Sequence, residues 1–371
     1  MTQTRTFEIF CAVPPGLEPV LAAEMSELGW AGLRPEPGGV CFDGGWTDVW
    51  RANLWLRGAS RVLARIDRFR VVHLSQLDKR AHKVAWADVL RPDVPVRVEA
   101  SCRKSKIYHA GAAAQRVEAA LRDALGVEIS AEAAVTVRVR IDDNVCTLSV
   151  DTSGELLHRR GFKAEVNKAP MRETLAALFL RASGHDGTQP LLDPMCGSGT
   201  FIIEAAEMAA GLAPGRSRAF AFEQLKTFDA AAWTALKAET TPAEPTASLT
   251  GSDRDAGAIR ISRANAERAS VAAWTQFAEA DARTLQPPPG EPGLVILNPP
   301  YGARIGNKKA MLALYAAFGA NMLRQFRGWR VALVTSDPAL ARATRLPFRE
   351  PGRPVDHGGI KIRLYQTGVL G

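Results

Sequence analysis

The sequence is short of paired cysteines, of long apolar runs and of acidic residues, and each shortage removes a class of protein. Five cysteines (Cys11, Cys41, Cys102, Cys146 and Cys196) are scattered through 371 residues and never recur as CxxC. An odd number at irregular spacing argues against a disulfide framework and against a zinc site, and reduced, buried thiols are the ordinary alternative. No metal is expected. No stretch approaches the roughly 18 apolar residues of a membrane span. The first residues, Met1 to Arg5, are polar and run into FEIFCAV (7–13), which is too short for a signal peptide and lacks a basic lead. A cytoplasmic protein with no membrane partner is the expectation.

Acidic residues number 39 against 47 Lys and Arg, for a net charge of +8. The excess is uneven. Residues 51–116 hold 15 Lys/Arg and 5 Asp/Glu, and residues 304–371 hold 12 and 3, while the rest of the chain is acidic. Two basic segments in an otherwise acidic chain suggest a polyanion, and nucleic acid is favoured over membrane because no amphipathic basic helix stands out. A solvated charged surface is the plain alternative. At roughly 100–200 residues per domain, the length predicts two or three domains.

The first 50 residues read as strand (7–13), helix (Leu17, Val20, Leu21, Met25 and Leu28 at helical spacing) and strand (38–44), with a second helix over 46–60. Alternation from 61 to 71, a short helix within 74–90, a strand over 94–109, a helix over 110–126 and a hairpin turning at Asp142-Asp143-Asn144 follow. Residues 155–168 are polar and basic and read as a linker. Beyond them strands alternate with helices: helix 171–183, strand 190–200, helix 201–212, an irregular excursion over 213–247, then strands ending at Asp253, near Asp281 and at Asn298, helix 309–326 and strands at 330–337 and 360–368. That order implies βαβ units and a parallel sheet, which binds ligands at the carboxyl ends of its strands.

The unusual residues fall at those ends. DPMCGSGT (193–200) places Gly197 and Gly199 before a helix, so a ligand can approach the backbone and meet free N–H groups. Ile202 occupies the third-glycine position of a dinucleotide fingerprint and no phosphate-binding lysine follows, so the loop is a weak match to the NAD fingerprint and no match to a P-loop. A tight strand-to-helix turn is the bland reading. Asp253 suits a ribose diol, Asp255 a helix cap, and Asp281 an adenine amino group. Together these residues outline one nucleoside-shaped ligand.

The fourth end is ILNPPY (296–301). Prolines lack an N–H and are stiff, so Pro299 and Pro300 hold an extended turn. The Asn298 side-chain oxygen and the Pro299 carbonyl form two rigid acceptors that match the two donors of an exocyclic base amine. Tyr301 can stack on the base. Such an amine is a poor nucleophile, and orienting it while favouring charge on nitrogen lowers the barrier to attack on an electrophilic methyl group.

These motifs resemble those of class I S-adenosylmethionine-dependent methyltransferases. NKAPMRETLAAL (167–178), LLDPMCGSGTFIIEAA (191–206), RAFAFEQLKTFDAAAW (218–233), GSDRDAGAI (251–259) and ILNPPYGARIG (296–306) are similar to the RlmL-like guanine-N2 RNA methyltransferases. KSKIYHAGAAAQRV (104–117) and VRIDDNVCTLSVDTSGELLHRRGF (139–162) resemble a THUMP domain preceded by a ferredoxin-like unit. The resemblance implies an α/β protein: a ferredoxin-like domain over 1–60, a THUMP domain over 61–160, and a class I (Rossmann-like) methyltransferase domain with a seven-stranded sheet over 165–371. It implies S-adenosylmethionine as cofactor, bordered by Asp193, Pro194, Cys196, Gly197, Gly199, Thr200 and Asn298, with Asp253 on the ribose and Asp281 on the adenine. Asn298, Pro299, Pro300 and Tyr301 take the catalytic position, and Arg103, Lys104 and Lys106 grip structured RNA. Leu225-Lys226, in place of an aromatic-proline pair common after the FE dipeptide, and HGG (357–359), in place of the usual NG turn, depart from the family pattern, away from the expected site.

The implied activity is methylation of a guanosine N2 amine, in 23S rRNA or alternatively in tRNA. Adenine N6 is a neighbouring possibility, because the motif fits any exocyclic amine. An RNA-binding module with an inactive methyltransferase half and a nicotinamide-dependent oxidoreductase are the readings from other classes.

Overall fold

The computed structural model describes residues 6–163, 171–239, 242–300 and 308–371. They form two compact units: Met1–Val13, Ala22–Leu157 and Arg218–Glu239 in the first, and Pro14–Leu21, His158–Ser217 and Thr240–Gly371 in the second.

The strands of the first unit are β1 (Phe7–Ala12), β2 (Arg34–Glu36), β3 (Gly39–Gly44), β4 (Arg61–Arg70), β5 (Val96–Arg103), β6 (Val135–Asp142) and β7 (Val145–Asp151). They make one sheet in the order β2-β3-β1-β4-β7-β6-β5. β4 pairs with β1 on one side and with β7 on the other, so the expected domain boundary at residue 60 falls within a continuous sheet. β1 leads into α1 (Glu18–Glu27), and α2 (Trp46–Trp55) and α3 (Leu74–Ala81) flank β4 in sequence. β5 and β6 run parallel and need a crossover, which α4 (Ala110–Leu125) supplies. Its buried residues Ala113, Val117, Ala120 and Leu121 fall on one helical face. The hairpin expected at Asp143-Asn144 is present. Both residues have positive φ (49° and 60°), as a two-residue turn requires, and both residue types tolerate it.

The second unit holds α5 (Glu173–Ala182), β8 (Leu191–Asp193), α6 (Thr200–Ala209), β9 (Leu249–Asp253), α8 (Ala256–Arg268), β10 (Gln276–Glu279), β11 (Leu294–Leu297), α9 (Lys308–Gln325), β12 (Arg330–Thr335), α10 (Pro338–Ala343), β13 (Val355–His357) and β14 (Ile360–Gln366), with α7 described below. Its sheet has the order β10-β9-β8-β11-β12-β14-β13. The first five strands are parallel and β14 is antiparallel to both neighbours. The chain moves outward from β8 through β9 to β10, then returns to place β11 on the other side of β8. That reversal is a switch point, and it opens a crevice at the carboxyl ends of β8 and β11. Apolar residues of α9 (Tyr315, Phe318, Met322) pack with Val295, Leu297, Val331 and Leu333, all under 2% exposed, which holds the floor of the crevice rigid.

The excursion over 213–247 is less irregular than its composition suggests. It contains α7 (Ala230–Ala238), capped by Asp229, and residues 218–239 belong to the first unit. Phe222 stacks on Trp50 and meets Trp233 edge-on, and its backbone N–H donates to the Thr152 carbonyl (3.0 Å). Lys226, one of the departures from the family pattern, donates its N–H to the Val89 carbonyl (2.9 Å), a bond that proline cannot make. The other departure, His357-Gly358-Gly359, closes the β13–β14 hairpin with both glycines at positive φ (58° and 82°).

Of the polar segment expected to be a linker (155–168), residues 164–168 lie outside the described residues, and part of 155–163 is buried. Leu157, Arg160 and Phe162 are buried, at 1%, 2% and 4% exposure. The reason is pairing, which composition does not show: Arg160 reaches buried Glu204 of α6 at 3.2 Å.

Candidate active site

β8 is only three residues long, so the glycine loop begins at once after Asp193. Asp193 is 2% exposed. Burial raises its pKa well above the ordinary carboxylate value; the N–H of Met195, 3.1 Å from Oδ1, opposes this, and the charge of Asp253 adds to it. Burial likewise pushes the Cys196 thiol up, with Asp193 contributing, which disfavours the thiolate.

Gly197 and Gly199 both sit at positive φ (56° and 81°), but for different reasons. A Cβ on Gly199 would press on Ser262 and Phe277 at 3.1–3.2 Å, so that glycine serves packing. A Cβ on Gly197 would meet nothing within 4 Å, so that position faces open space into which a ligand can come close. The loop is held from α8: Ser262 Oγ donates to the Gly197 carbonyl (3.0 Å) and Asn265 Nδ2 to the Ser198 carbonyl (3.1 Å). Gly251 lies beneath it, where any Cβ would stand 2.7 Å from the Phe277 ring.

Asp253 at the end of β9 accepts from the Gly197 N–H (3.1 Å, Oδ2) and the Asp255 N–H (3.1 Å, Oδ1). The second acid clamps the first loop. Asp255 caps α8 through the Gly257 N–H (2.8 Å), as its position predicts. Asp281 lies beside Asp253, because the Ala280 N–H donates to the Asp253 carbonyl (3.0 Å). Arg283 chelates the Asp281 carboxylate through its guanidinium and backbone N–H, which lowers the Asp281 pKa to about 2. Asp281 is therefore a fixed, ionised acceptor.

At the fourth strand end, Asn298 follows β11 directly. Its Oδ1 is buried and has no hydrogen-bond partner among the described residues. A buried acceptor left unmet costs about 1–3 kcal/mol and asks for a donor. Pro299 is buried. The Pro300 carbonyl is already engaged, since the Tyr315 hydroxyl of α9 donates to it at 3.2 Å. Pro300 thus anchors the turn. Tyr301 lies outside the described residues. β11 pairs with β8 so that Val295 stands opposite Leu192, which brings Asn298 alongside the glycine loop.

In the first unit Arg103, Lys104 and Lys106 are exposed. They lie on a turn locked by Asn144, which accepts from the Lys106 N–H (2.9 Å) and donates its own N–H to Ser105 Oγ (3.0 Å). Ile107 anchors the turn in the core and Tyr108 stands 84% exposed beside it.

Residues 160–361 match the family described as RMKL-like, methyltransferase domain. The chain belongs to that family. Residues 8–63 match the RlmL ferredoxin-like domain and 72–151 the THUMP domain. This methyltransferase is 32% identical over 369 residues to a Synechocystis protein whose name assigns it provisionally to the RNA methyltransferases, covering 96% of this chain and 95% of the other. It is 36% identical over 355 residues to the ribosomal RNA large subunit methyltransferase K/L of Syntrophotalea carbinolica, covering 90% of this chain but 50% of that protein, so it spans about half the length of its K/L relatives. A solved structure of SMU.472, whose name assigns it provisionally to the methyltransferases and which is complexed with SAH, superposes with a TM-score of 0.86 at 26% identity over 98% of both chains.

S-adenosylmethionine is the cofactor, and the residues present fit it: open space over Gly197, the start of α6 with no side-chain cap, and acids at the end of β9 and just after β10. Sequence reasoning missed Ser262, Asn265, Gly251 and Tyr315, which hold the site without facing it. Only the glycine carries a hint, since a glycine inside a strand signals close approach.

Proposed function

We propose that this methyltransferase modifies the exocyclic N2 amine of a guanosine in large-subunit ribosomal RNA. The observation that carries the reading is the buried Asn298 Oδ1 beside the glycine loop, which has no partner among the described residues. Its Oδ1 and the Pro299 carbonyl accept the two N–H donors of the target amine, orient its lone pair, and stabilise the positive charge that develops on nitrogen. The bound cofactor supplies an electrophilic methyl group. The surplus proton on the methylated nitrogen leaves to water. Asp253 and Asp281 serve as acceptors for a ribose and an adenine, and Asp193, Pro194, Cys196, Gly197, Gly199 and Thr200 border the methionine half.

RNA as substrate is supported by the THUMP match, by the names of the relatives and by the rigid basic turn of Arg103, Lys104 and Lys106. Tyr108 adds an exposed aromatic face for an unpaired base. The choice of guanine N2 rests on the motif resemblance. Nucleoside analysis of ribosomal and transfer RNA from a deletion strain tests it: N2-methylguanosine should fall in the ribosomal fraction. Loss from tRNA alone redirects the substrate, and loss of N6-methyladenosine in its place overturns the guanine assignment.

A further inference from the structure

The buried ammonium of Lys163 has no role in the chemistry above, yet it sits at the edge of the site. Its side chain is 11% exposed. Burial lowers its pKa, and the nearby Glu173 carboxylate opposes that shift. An ammonium has three donors and no acceptor. Here the three meet three acceptors: the Met171 carbonyl (2.8 Å), Glu173 Oε1 (3.2 Å) and Thr200 Oγ1 (2.9 Å).

The third contact bears on ligand binding. Thr200 is the first residue of α6 and follows the left-handed Gly199. A hydroxyl that accepts from an ammonium keeps its own proton to donate. Ser198 Oγ is 3.5 Å from it, at the outer limit of a hydrogen bond. Lys163 therefore converts an amphoteric hydroxyl into a donor, next to the N–H groups that open α6. A donor of this kind, at the helix start three residues after the open Gly197 position, suits a carboxylate. The cofactor carries one, on its amino-acid end.

We propose that Lys163 is a positioning residue for the cofactor carboxylate, acting through Thr200. This rests on assigning the 193–200 loop to the methionine half of the cofactor. A plain structural staple would tie the same elements but would not distinguish ligands that differ only in that half. Glu173 balances the buried charge, so the pair adds little net field, and the effect is one of hydrogen-bond direction.

The test is calorimetric titration of the full chain with S-adenosylhomocysteine and with 5′-methylthioadenosine, which lacks the amino and carboxylate groups. Lys163→Met should weaken S-adenosylhomocysteine about tenfold and change 5′-methylthioadenosine less than twofold. Thr200→Val should do the same, and Lys163→Met added to Thr200→Val should cost nothing further. Should Lys163→Met fail to fold because Glu173 is stranded, Lys163→Met/Glu173→Met removes both charges and should show the same tenfold ratio change. Equal losses for both ligands, no loss for either, or additive losses in the double variant would overturn the proposal. Gly197→Ala separates the two levels. If it leaves S-adenosylhomocysteine binding intact, the loop assignment itself has failed. If it weakens that ligand while the Lys163 variants keep the wild-type ratio, only the role of Lys163 is wrong.

Discussion

RKSKIY (103–108) in the first unit and HRRGFK (158–163) in the second carry three Lys or Arg each within six residues. All three of the first stretch are exposed. In the second, Arg160 is 2% exposed and the Lys163 side chain 11%, each against a buried carboxylate. Local charge density is the same, so it does not decide the outcome. The decisive factor is what the fold brings alongside. Glu204 and Glu173 project from helices into the path of the second stretch, and a cation can leave water only where such a partner waits. The first stretch follows an edge strand and turns into solvent, with Ile107 as its one buried anchor. A basic patch therefore marks an interface only after its buried, paired members are subtracted.

The sharpest break of this comparison is in stability. Arg160→Met strips the guanidinium from buried Glu204 and should cost about 3–5 kcal/mol in urea denaturation. Arg103→Met should stay within about 0.5 kcal/mol. Similar losses for the two variants would erase the distinction. Neutral Asn298 serves as a control for both stretches. Asn298→Ala should cut turnover about 100-fold or more while S-adenosylhomocysteine affinity stays within twofold. A matching loss of both would mean that Asn298 belongs to the cofactor and not to the target amine.

RNA binding should divide the lysines. Lys104→Ala/Lys106→Ala should weaken RNA and flatten the dependence of log affinity on log salt by roughly 1.5, whereas Lys163→Met should leave that slope alone. A slope that does not move in the first variant removes the turn from the interface.

The smallest effect is with pH. Burial, helped by the cations of Arg172, Arg159, Arg160 and Lys163, lowers the His158 pKa to about 4, and burial alone is the main cause of a similar value at His185. Both histidines charge more readily when unfolded, so their neutral native forms are fully stable above pH 6.5, and stability should drain away as pH falls from about 6.5 to about 4. His158→Asn should shallow that decline, seen in urea midpoints at pH 7 and pH 5. An unchanged decline would place the loss elsewhere.

What could be read from residue order was local or periodic. The amphipathic face of α4, the cap at Asp255, the Asp143-Asn144 turn and the β-strand/helix alternation of the second unit all depend on neighbours within a few residues. The strand ends stood out for the same reason, since glycine, proline and asparagine interrupt apolar runs there. Short elements were missed: β2, β13 and α10 span 3, 3 and 6 residues, too few for a period to register. The α7 helix was hidden by an alanine- and proline-rich setting.

The sequence by itself determined an open glycine loop and a stiff Asn-Pro-Pro turn at the strand ends, because stiffness, glycine freedom and side-chain chemistry belong to the residues themselves. Tertiary structure alone decided which cations are buried, which loop oxygens are already taken, and that Asn298 Oδ1 is buried with no partner among the described residues. Those outcomes depend on groups distant in the chain: Glu204 beside Arg160, Tyr315 on the Pro300 carbonyl, Thr200 against Lys163. Burial and pairing are properties of a place in the fold, and no stretch of sequence contains its own surroundings.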